Sequence, residues 1–297
     1  MSTRDEATRS GFVALAGRPN AGKSTLVNAI VAGKVAIVSD KPQTTRRAIR
    51  GVATGSDWQL VLIDLPGVQR PRDPLTERMQ RRVEQELADC DAAMMVVDAT
   101  QPVGPGDRFI GARLRDGSAP LVIAVNKVDR LDRAGTAAAL QAASQLNPAA
   151  EVFPISARTG VGVEALVDHL VGLLPPGPFY FPADQRSDLP EEVELAELVR
   201  EQVLARTRQE VPHAVEVSVD EVVRAPGLVT VRAYVWVETE SQKGILIGAG
   251  GRMVKAVGTA ARRELERRLG ERVHLELSVR MRRHWRADDA LLDRLGI

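Results

Sequence analysis

The chain has 297 residues, of which 44% are hydrophobic, and a formal net charge of +1 at pH 7. Two ordinary globular domains are expected, and a uniformly acidic or basic chain is excluded. Its single cysteine, Cys90, excludes a disulfide framework within the chain and suits a reducing compartment. The apolar runs are too short to cross a bilayer, and residues 1–10 are polar, so a cytoplasmic protein with a disordered N-terminus and no signal peptide is expected.

Strand-like and helix-like segments alternate over the first half of the chain. Short apolar runs typical of strands lie near residues 11–16, 60–64, 92–98, 120–125 and 151–155. Helical periodicity follows near residues 24–32, 74–88, 105–115, 134–146 and 162–174. This alternation predicts a doubly wound α/β domain over residues 11–174, with its ligand-binding loops at the carboxyl ends of the strands.

A glycine-rich loop joins the first predicted strand to the first predicted helix. Every fixed position of the phosphate-binding loop G-x-x-x-x-G-K-[ST] is filled, and the candidate residues are Gly17, Arg18, Pro19, Asn20, Ala21, Gly22, Lys23, Ser24 and Thr25. The glycines let backbone N–H groups face a phosphate, and the helix N-terminus adds a favourable dipole. Lys23 would supply a mobile cation and Ser24 a hydroxyl ligand for Mg²⁺. A nucleoside triphosphate site is therefore favoured over a chance glycine-rich turn.

The strand predicted at residues 60–64 ends in a D-x-x-G sequence. Its residues are Asp64, Leu65, Pro66 and Gly67. The Asp64 carboxylate can reach Mg²⁺ through water and the Gly67 N–H can contact a γ-phosphate, so this loop would sense that phosphate. Upstream, Thr44 and Thr45 offer a hydroxyl to the metal, with a merely exposed loop as the alternative.

An N-K-x-D sequence follows the strand predicted near residues 120–125. It consists of Asn126, Lys127 and Asp129 with one residue between the last two. An aspartate here can accept from the ring N–H and the exocyclic amine of guanine, whereas adenine presents neither donor in that arrangement. Asn126 would contact the loop and the base edge, and Lys127 would lie along the purine face.

A fourth and weaker motif follows the strand near residues 151–155. It contains Ser156, Ala157 and Arg158, where a backbone N–H could donate to the guanine carbonyl oxygen. The order and spacing of the four motifs resemble the translation-factor-related GTPases. Such GTPases place the metal-binding threonine just before arginine, which favours Thr45 over Thr44. The resemblance implies that the ligands are GTP or GDP and Mg²⁺. It also implies that Ser24 and Thr45 bind the Mg²⁺ ion directly and that Asp64 binds it through water.

A second domain is predicted after a linker at residues 175–190, where a proline-rich run cannot continue a helix. A helix is expected from Glu191 to Arg208, and strands are expected from Val215 to Val223, Leu228 to Val237 and Val273 to Val279. This α+β pattern, with a C-terminal tail, covers residues 191–297.

A G-x-x-G sequence lies before the last predicted helix of this domain, and such a loop clamps the nucleic-acid backbone in KH domains. The candidate RNA-binding residues are Lys243, Ile247, Gly248, Ala249, Gly250, Gly251, Arg252 and Lys255. Residues 181–251 carry seven basic against thirteen acidic residues, a balance of −6, whereas residues 252–286 carry eleven against four, a balance of +7. A basic face beside a glycine loop favours a nucleic-acid site, with a helix cap and an unpartnered basic helix as the alternatives.

The whole chain resembles the Era family of bacterial GTPases, in which a phosphate-loop GTPase domain precedes a type II KH domain. The resemblance rests on the four GTPase motifs, the G-x-x-G loop, Pro212, Gln242 and the C-terminal Trp285 to Asp289. It implies binding of the 3′ end of 16S rRNA, a role in assembly of the small ribosomal subunit and control of RNA binding by GTP. It also implies peripheral association with the inner face of the cell membrane, and a monomer is expected.

Hydrolysis is assigned to Lys23, Thr45, Asp64, Gly67 and Asn20. Val68 follows Gly67 where Ras-type enzymes place a water-orienting glutamine, so slow intrinsic turnover is expected. Asn20 resembles the asparagine by which some related GTPases bind K⁺, which gives the hypothesis of a K⁺ site, while a loop-shaping role is the alternative.

Two departures from the family pattern concern Leu65, where threonine is usual, and the G-x-x-G loop, which lacks the usual lysine. A small effect is expected from the first and weaker RNA binding from the second. Three other functions stay open: a GTPase whose C-terminal domain binds a protein or a membrane, an RNA-binding scaffold that nucleotide only stabilises, and, more remotely, an ATP-specific enzyme.

Overall fold

The computed structural model describes residues 8–41, 43–68, 71, 73–208, 211–295 and 297, which form two compact units. The first unit contains residues 8–38, 43–68, 71 and 76–188, and the second contains residues 39–41, 73–75, 189–208, 211–295 and 297. None of the helices in these ranges combines the length and the apolarity that a bilayer span requires.

Within the described residues, six strands form the sheet of the first unit. They are β1 (Arg9–Gly17), β2 (Ile49–Thr54), β3 (Trp58–Asp64), β4 (Ala92–Asp98), β5 (Leu121–Asn126) and β6 (Glu151–Pro154). Their order is β2-β3-β1-β4-β5-β6; β2 is antiparallel to β3 and the other neighbouring pairs are parallel. The strand order reverses around β1, which places a ligand crevice at the carboxyl ends of β1, β3 and β4. The doubly wound α/β fold is confirmed.

Two details of this sheet differ from the sequence prediction. Strand β2 was not predicted, because Arg50 and Gly51 interrupt its apolar residues and it lies at the edge of the sheet. Strand β1 begins at Arg9, so Arg9 and Ser10 belong to the sheet rather than to the disordered N-terminus expected for residues 1–10. Residues 1–7 lie outside the described part of the chain.

Helices cover both faces of the sheet. They are α1 (Lys23–Val31), α2 (Pro74–Ala88), α3 (Pro105–Arg115), α4 (Arg133–Ser144) and α5 (Val163–Leu173). On one face, α1 and α5 pack through Leu26 and Leu166 against alternate residues of β1 such as Leu15. On the other face, α2 and α3 pack through Val83 and Ile110. This alternation follows from the period of two along each strand and leaves the loops at the strand ends free to carry the site.

The segment predicted as a linker, residues 175–190, packs as part of the first unit as far as Asp188. The buried Gln59 of β3 holds it, because its Oε1 accepts from the N–H of Tyr180 (2.8 Å) and of Phe181 (2.9 Å) and its Nε2 donates to Phe181 O (2.9 Å). Farther on, Val52 N donates to Arg186 O at 2.9 Å along the edge of β2. Most of the proline-rich run is therefore held in place by the sheet.

The second unit contains a three-stranded sheet with helices. Its elements are α6 (Glu191–Arg206), α7 (Val211–Ala214), β7 (Glu216–Ala225), β8 (Leu228–Val237), α8 (Glu240–Ile247), α9 (Arg252–Leu269), β9 (Val273–Met281) and α10 (Asp289–Arg294). Strand β8 is antiparallel to β7 and parallel to β9. Helices α6 and α9 pack against each other, and α6 also packs on β7 and α9 on β9. Alternate residues of β8, from Val229 to Val237, are buried, as one covered face of the sheet requires.

The ends of these elements differ from the prediction by a few residues. Helix α6 ends at Arg206 rather than Arg208, β7 runs from Glu216 to Ala225, and β9 extends to Met281. The C-terminal segment is anchored by Trp285, which is fully buried and donates from Nε1 to Ala214 O at 3.0 Å. The predicted tail is therefore packed within the second unit.

Candidate nucleotide site and nucleic-acid interface

The phosphate-binding loop lies between β1 and α1, at the carboxyl edge of the first sheet. Gly22 has φ +100, a conformation that L-residues rarely adopt, and its absent side chain leaves room for Asn126 Nδ2. The first turn of α1 begins at Lys23, so its free backbone N–H groups face the loop. The local sequence thus produces the anion-binding geometry expected of this motif.

The Lys23 ammonium lies over this loop in the structure. Its Nζ donates to Gly17 O at 3.1 Å and to Arg18 O at 3.3 Å, and the residue is only 6% exposed. Burial lowers the pKa of Lys23, and the nearby negative charge of Asp64 opposes that shift. The loop carbonyls therefore bind the Lys23 ammonium in this structure. The charged oxygens of a phosphate in the loop would bind the same ammonium more strongly.

Three side chains from separate parts of the first unit converge beside the loop. Ser24 Oγ donates to Asp64 Oδ2 at 2.6 Å, Thr45 Oγ1 donates to the same oxygen at 3.1 Å, and the two hydroxyl oxygens are 3.1 Å apart. Asp64 Oδ1 is buried and accepts no hydrogen bond from the described residues. Two hydroxyls and an unsatisfied carboxylate oxygen form the hard oxygen set that Mg²⁺ prefers, so these residues fit that ion.

The Asp64 carboxylate is destabilised in the free protein. Burial raises its pKa, while Lys23 and the hydrogen bonds from Ser24 and Thr45 oppose the shift. Because Asp64 is completely buried, water does not solvate its negative charge. A bound cation would stabilise that charge instead.

The D-x-x-G loop places its apolar side chains in the core. Leu65 is fully buried and Val68 is 8% exposed, and both pack with Ala16 and Ile63 on one face of the sheet. The Leu65 side chain therefore points away from the metal-binding hydroxyls, and Val68 offers no polar atom to a water molecule. Gly67 O accepts from Gln80 Nε2 at 3.2 Å, and a Cβ on Gly67 would lie 3.1 Å from Pro19 Cγ. The single glycine of the D-x-x-G motif thus allows this loop to pack closely against the phosphate-binding loop.

Asn126 connects the motifs to one another. Its Nδ2 donates to Ala21 O at 2.9 Å, and its Oδ1 accepts from Lys127 N at 2.8 Å and from Ala157 N at 2.9 Å. The side chain is 2% exposed, so it acts here as a buried brace between three loops. The Ala157 N–H expected for a guanine oxygen is thus already engaged, and Ser156 N donates to Val161 O at 2.8 Å. A base carbonyl would have to share the Ala157 donor with Asn126.

Asp129 lies at the open side of the same loops. Its Oδ1 accepts from Ser156 Oγ at 2.7 Å and its Oδ2 accepts from Arg158 Nη2 at 2.7 Å. The hydrogen bond from Ser156, together with the charge of Arg158, holds the pKa of Asp129 below its ordinary value. A carboxylate has about four acceptor positions, so two remain for the paired donors of a guanine edge.

A residue that the sequence motifs did not include, Asp98, completes this region. It ends β4 opposite Asn126 in the parallel register, and its Oδ2 lies 2.6 Å from Lys127 Nζ. The same ammonium donates to Asn20 O at 2.7 Å. The sequence contained one signal that could have identified Asp98 as a site residue. It is an acidic residue at the carboxyl end of a buried strand, and the carboxyl ends of parallel strands lie together at one edge of the sheet.

Other predicted residues have specific places. Asn20 is exposed with φ +65, and Pro19 beside it is exposed as well. Arg18 turns its guanidinium toward α3, donating to Asp107 Oδ2 at 3.2 Å and to Gln101 Oε1 at 3.3 Å, so in this structure its side chain lies away from the loop centre. Thr25 is the third residue of α1 and is half-buried.

The G-x-x-G loop of the second unit joins α8 to α9. Gly248, Gly250 and Gly251 have φ values of 69, 60 and 75. A Cβ on Gly248 would lie 2.8 Å from Met253 Cβ, whereas nothing lies within 4 Å of a Cβ on Gly250 or Gly251. The first glycine is therefore required by packing, and the last two leave open space next to the backbone, as a loop that receives a phosphate needs.

The predicted RNA-binding side chains surround this loop. Ile247 is 37% exposed beside it, Lys243 is half-buried in α8, and Lys255 is exposed one turn into α9. Arg252 is exposed, and its Nε donates to Ala249 O at 3.2 Å. Positive charge is therefore present at the loop although no lysine lies within it.

The described residues contain no group of three or more His, Cys, Asp or Glu side chains that could hold a metal ion. The oxygen set at Asp64 differs from such a cluster because two of its members are hydroxyls.

Comparison with known proteins gives consistent matches over both units. A family model described as 50S ribosome-binding GTPase matches residues 12–127, and a KH domain model matches residues 210–286. GTPase Era of Mycobacterium tuberculosis (strain ATCC 25618 / H37Rv) is 46% identical over 294 residues, which cover 97% of this chain and 98% of the relative. GTPase Era of Mycobacterium avium (strain 104) is 46% identical over 295 residues with the same coverage.

Two solved structures match nearly the whole chain. A crystal structure of Era in complex with MgGDPNP and nucleotides 1506–1542 of 16S ribosomal RNA has a TM-score of 0.94 and 32% identity, covering 97% of this chain and 99% of the other. A crystal structure of an Aquifex aeolicus Era variant bound to GDP and AlF4⁻ has a TM-score of 0.93, 32% identity and the same coverage.

Proposed function

This chain belongs to the Era family of GTPases, and from that premise we propose that its GTP cycle controls binding of the 3′ end of 16S rRNA by its KH domain during assembly of the small ribosomal subunit. It is a GTPase, with GTP or GDP and Mg²⁺ as its ligands. The observation that carries the nucleotide part of the proposal is the convergence of Ser24 and Thr45 on the buried carboxylate of Asp64.

In the proposed site, the Ser24 and Thr45 hydroxyls would hold Mg²⁺, and the Asp64 carboxylate beside them would hold it through water. When bound, Mg²⁺ supplies positive charge to the phosphate oxygens. Lys23 leaves the carbonyls of the loop and binds the phosphates, and the Gly67 N–H contacts the γ-phosphate. Loss of the γ-phosphate would remove the contacts that hold the loops of Thr45 and Gly67 in position. These two loops are therefore the switch regions of the proposed cycle.

Guanine specificity is assigned to Asp129, with Lys127 along the ring. Asn126 acts through its contacts with Ala21 and Ala157, so we regard it as a positioning residue for the base and the phosphate-binding loop. Val68 provides no polar group for the attacking water, which supports slow intrinsic hydrolysis.

The RNA part of the proposal rests on the second unit. The KH match and the Era structure with 16S rRNA nucleotides 1506–1542 support it, together with the open space beside Gly250 and Gly251. Glycine backbone at that point allows a phosphate to approach closely, and Arg252 and Lys255 supply charge.

The test is the affinity of the full chain for a single-stranded oligonucleotide that matches the 3′ end of 16S rRNA, measured in the GTP-analogue and GDP forms. We expect tighter binding in the GTP-analogue form. The variant A249D/G250D should abolish binding through charge repulsion, since aspartate tolerates the left-handed conformation of Gly250 better than most residues. The matched variant A249N/G250N keeps the side-chain size without the charge and should retain most of the affinity.

Equal affinity in both nucleotide forms would support a scaffold that nucleotide only stabilises, and absence of RNA binding would favour a protein or membrane partner. Peripheral association with the inner face of the membrane remains part of the proposal. Co-sedimentation of the chain with anionic and with neutral vesicles would test it.

A further inference from the structure

A basic groove lies between the end of α6 and the first three turns of α9 in the second unit, with a volume of about 380 Å³. Its charged residues are Arg206 of α6 and Arg252, Lys255 and Arg263 of α9. Residues three to four positions apart on a helix share one face, so the α9 residues form a continuous stripe facing the groove. The stripe runs from Arg252 to Arg263, eleven steps along the helix, or about 16 Å at about 1.5 Å per residue.

Small side chains form the rest of the groove. Ala256, Thr259 and Ala260 of α9 line it, and Thr259 Oγ1 donates to Lys255 O at 2.8 Å. Because these side chains are short, an extended polymer strand can approach the helix closely between the longer basic side chains. A stripe of this length is long enough to contact more than one phosphate of an extended single strand.

The ion pairs of α9 divide its basic residues into two sets. Arg262 pairs with Glu266 at 3.9 Å, Arg267 pairs with Glu264, and Arg268 pairs with Glu194. These three lie outside the groove and have their charge balanced within the second unit.

The groove residues are different. Among the described residues, none of the four has a carboxylate within ion-pair distance, and no acidic side chain lines the groove. Arg206 is oriented by neutral groups instead, because its Nη1 donates to Gln202 O at 3.1 Å and to Gln202 Oε1 at 2.9 Å. Four uncompensated positive charges at one place disfavour each other, and an external anion with several negative charges would relieve that repulsion.

The groove is continuous with the G-x-x-G loop, since Arg252 directly follows Gly251 and belongs to both. We propose that this groove is a second phosphate-binding site, which holds the sugar-phosphate backbone of an RNA strand that continues beyond the loop. The inference rests on the proposed RNA function and deepens it. A KH loop clamps about four nucleotides. The groove would add contacts that depend on RNA length and charge and not on base sequence.

The experiment compares wild-type full-length chain with the variant R206Q/R263Q. The matched control is R262Q/R267Q, which removes the same charge from residues that already have carboxylate partners. Each protein is titrated with a short oligonucleotide that matches the 3′ end of 16S rRNA and with the same sequence extended at both ends. GTP-analogue affinity and the thermal unfolding temperature are measured for each variant to verify folding.

For the extended RNA, the groove variant should bind about tenfold more weakly, and the slope of log affinity against log salt should fall by about 1.4, for two lost contacts to a single strand. Its affinity for the short RNA should stay within about twofold of wild type, and the control variant should match wild type on both RNAs.

An equal loss in the two variants would overturn the proposal in favour of a diffuse charge effect, and unchanged binding of the extended RNA by the groove variant would overturn it outright. Loss of anionic-vesicle binding with intact RNA affinity would assign the groove to lipid and also overturn it. If wild type binds neither RNA, the proposed RNA function itself fails, an outcome distinct from these.

Discussion

The Lys127 ammonium is held between two oxygens, Asp98 Oδ2 at 2.6 Å and Asn20 O at 2.7 Å. Partial burial raises the pKa of Asp98, but the hydrogen bonds from Lys127 and Thr100 leave it below its ordinary value. The carboxylate is therefore ionised near neutral pH and links the end of β4 to the phosphate-binding loop through Lys127.

Asp98→Asn should weaken GDP binding. A hydrogen bond to a charged group contributes about 1.5–3 kcal/mol, so loss of the ion pair should reduce affinity by about tenfold or more, mainly through faster dissociation. Stopped-flow release of a fluorescent GDP analogue measures this. Thr100→Ala is the control, because it removes the hydroxyl that donates to Asp98 Oδ1 at 2.6 Å but keeps the backbone N–H of residue 100 and Lys127 in place. In the Lys127→Met background, Asp98→Asn should have little further effect; additive losses would contradict the proposed route through Lys127.

Asp64→Asn should stabilise the nucleotide-free protein near neutral pH. Burial raises the pKa of Asp64 in the folded state, so the wild type carries an unfavourable buried charge above that pKa. As the pH falls through the raised pKa toward the ordinary value of 3.8, Asp64 becomes protonated and the advantage of the variant disappears. Thermal unfolding in EDTA at several pH values measures the difference between the two proteins.

With saturating GDP and Mg²⁺, the wild type should be more stable than the Asp64→Asn variant. The variant binds Mg²⁺ more weakly, so ligand binding stabilises it less. A variant that is less stable than wild type in EDTA near neutral pH would show that Asp64 is not the destabilised group.

Gly22→Ala should weaken nucleotide binding by more than the backbone strain that alanine causes at the positive φ of Gly22. A Cβ at Gly22 would collide with Asn126 Nδ2 and break the brace to Ala21. Gly160→Ala is the matched control, since Gly160 also has a positive φ of 84 but nothing lies within 4 Å of its Cβ. The control should lose only about 1–2 kcal/mol of stability and keep its GDP affinity.

Calorimetric titration with GDP, combined with thermal unfolding, separates the two effects. Equal GDP affinities of the two alanine variants would contradict the importance of the contact with Asn126.

Asn20→Ala should remove stimulation of GTP hydrolysis by K⁺. The hypothesis places K⁺ beside the phosphates through Asn20, an exposed residue of the loop with φ +65. Phosphate release is measured in K⁺ and in Na⁺ at equal ionic strength, and wild type should be faster in K⁺. Asn20→Asp, which keeps an oxygen, serves as the comparison. Equal wild-type rates in the two salts would eliminate the K⁺ site and leave the loop-shaping role.

Gln59→Leu should destabilise the first unit by about 2–4 kcal/mol, because it leaves the backbone groups of Tyr180 and Phe181 without their buried partner. Thr54→Val is the milder control, since it removes only the hydrogen bond from Gln59 Nε2 at 3.1 Å and should cost about 1 kcal/mol. Urea unfolding of the full chain measures both values. Equal small losses would mean that the segment after Leu174 is held by other contacts.

The amino-acid sequence alone was sufficient for the parallel-sheet fold and the nucleotide motifs, because both depend on local patterns. Apolar runs define β1, β3, β4, β5 and β6, and fixed glycines and a lysine define the loop before α1. The KH assignment followed from the glycine loop and the change of charge along the chain. Each of these signals is a property of a continuous segment of the chain, so it can be read without knowledge of long-range contacts.

Tertiary structure decided what depends on residues far apart in the chain. Asp98 meets Lys127 only because β4 and β5 are neighbours, and Gln59 fixes residues 180 and 181 only because β3 lies under them. Likewise, the groove of Arg206 and Arg263 needs α6 and α9 packed together, and its distinct charge depends on which arginines find a glutamate. A sequence records which charges exist, but only the packed helices determine which of them are balanced, because ion pairing falls off steeply with distance and exposure.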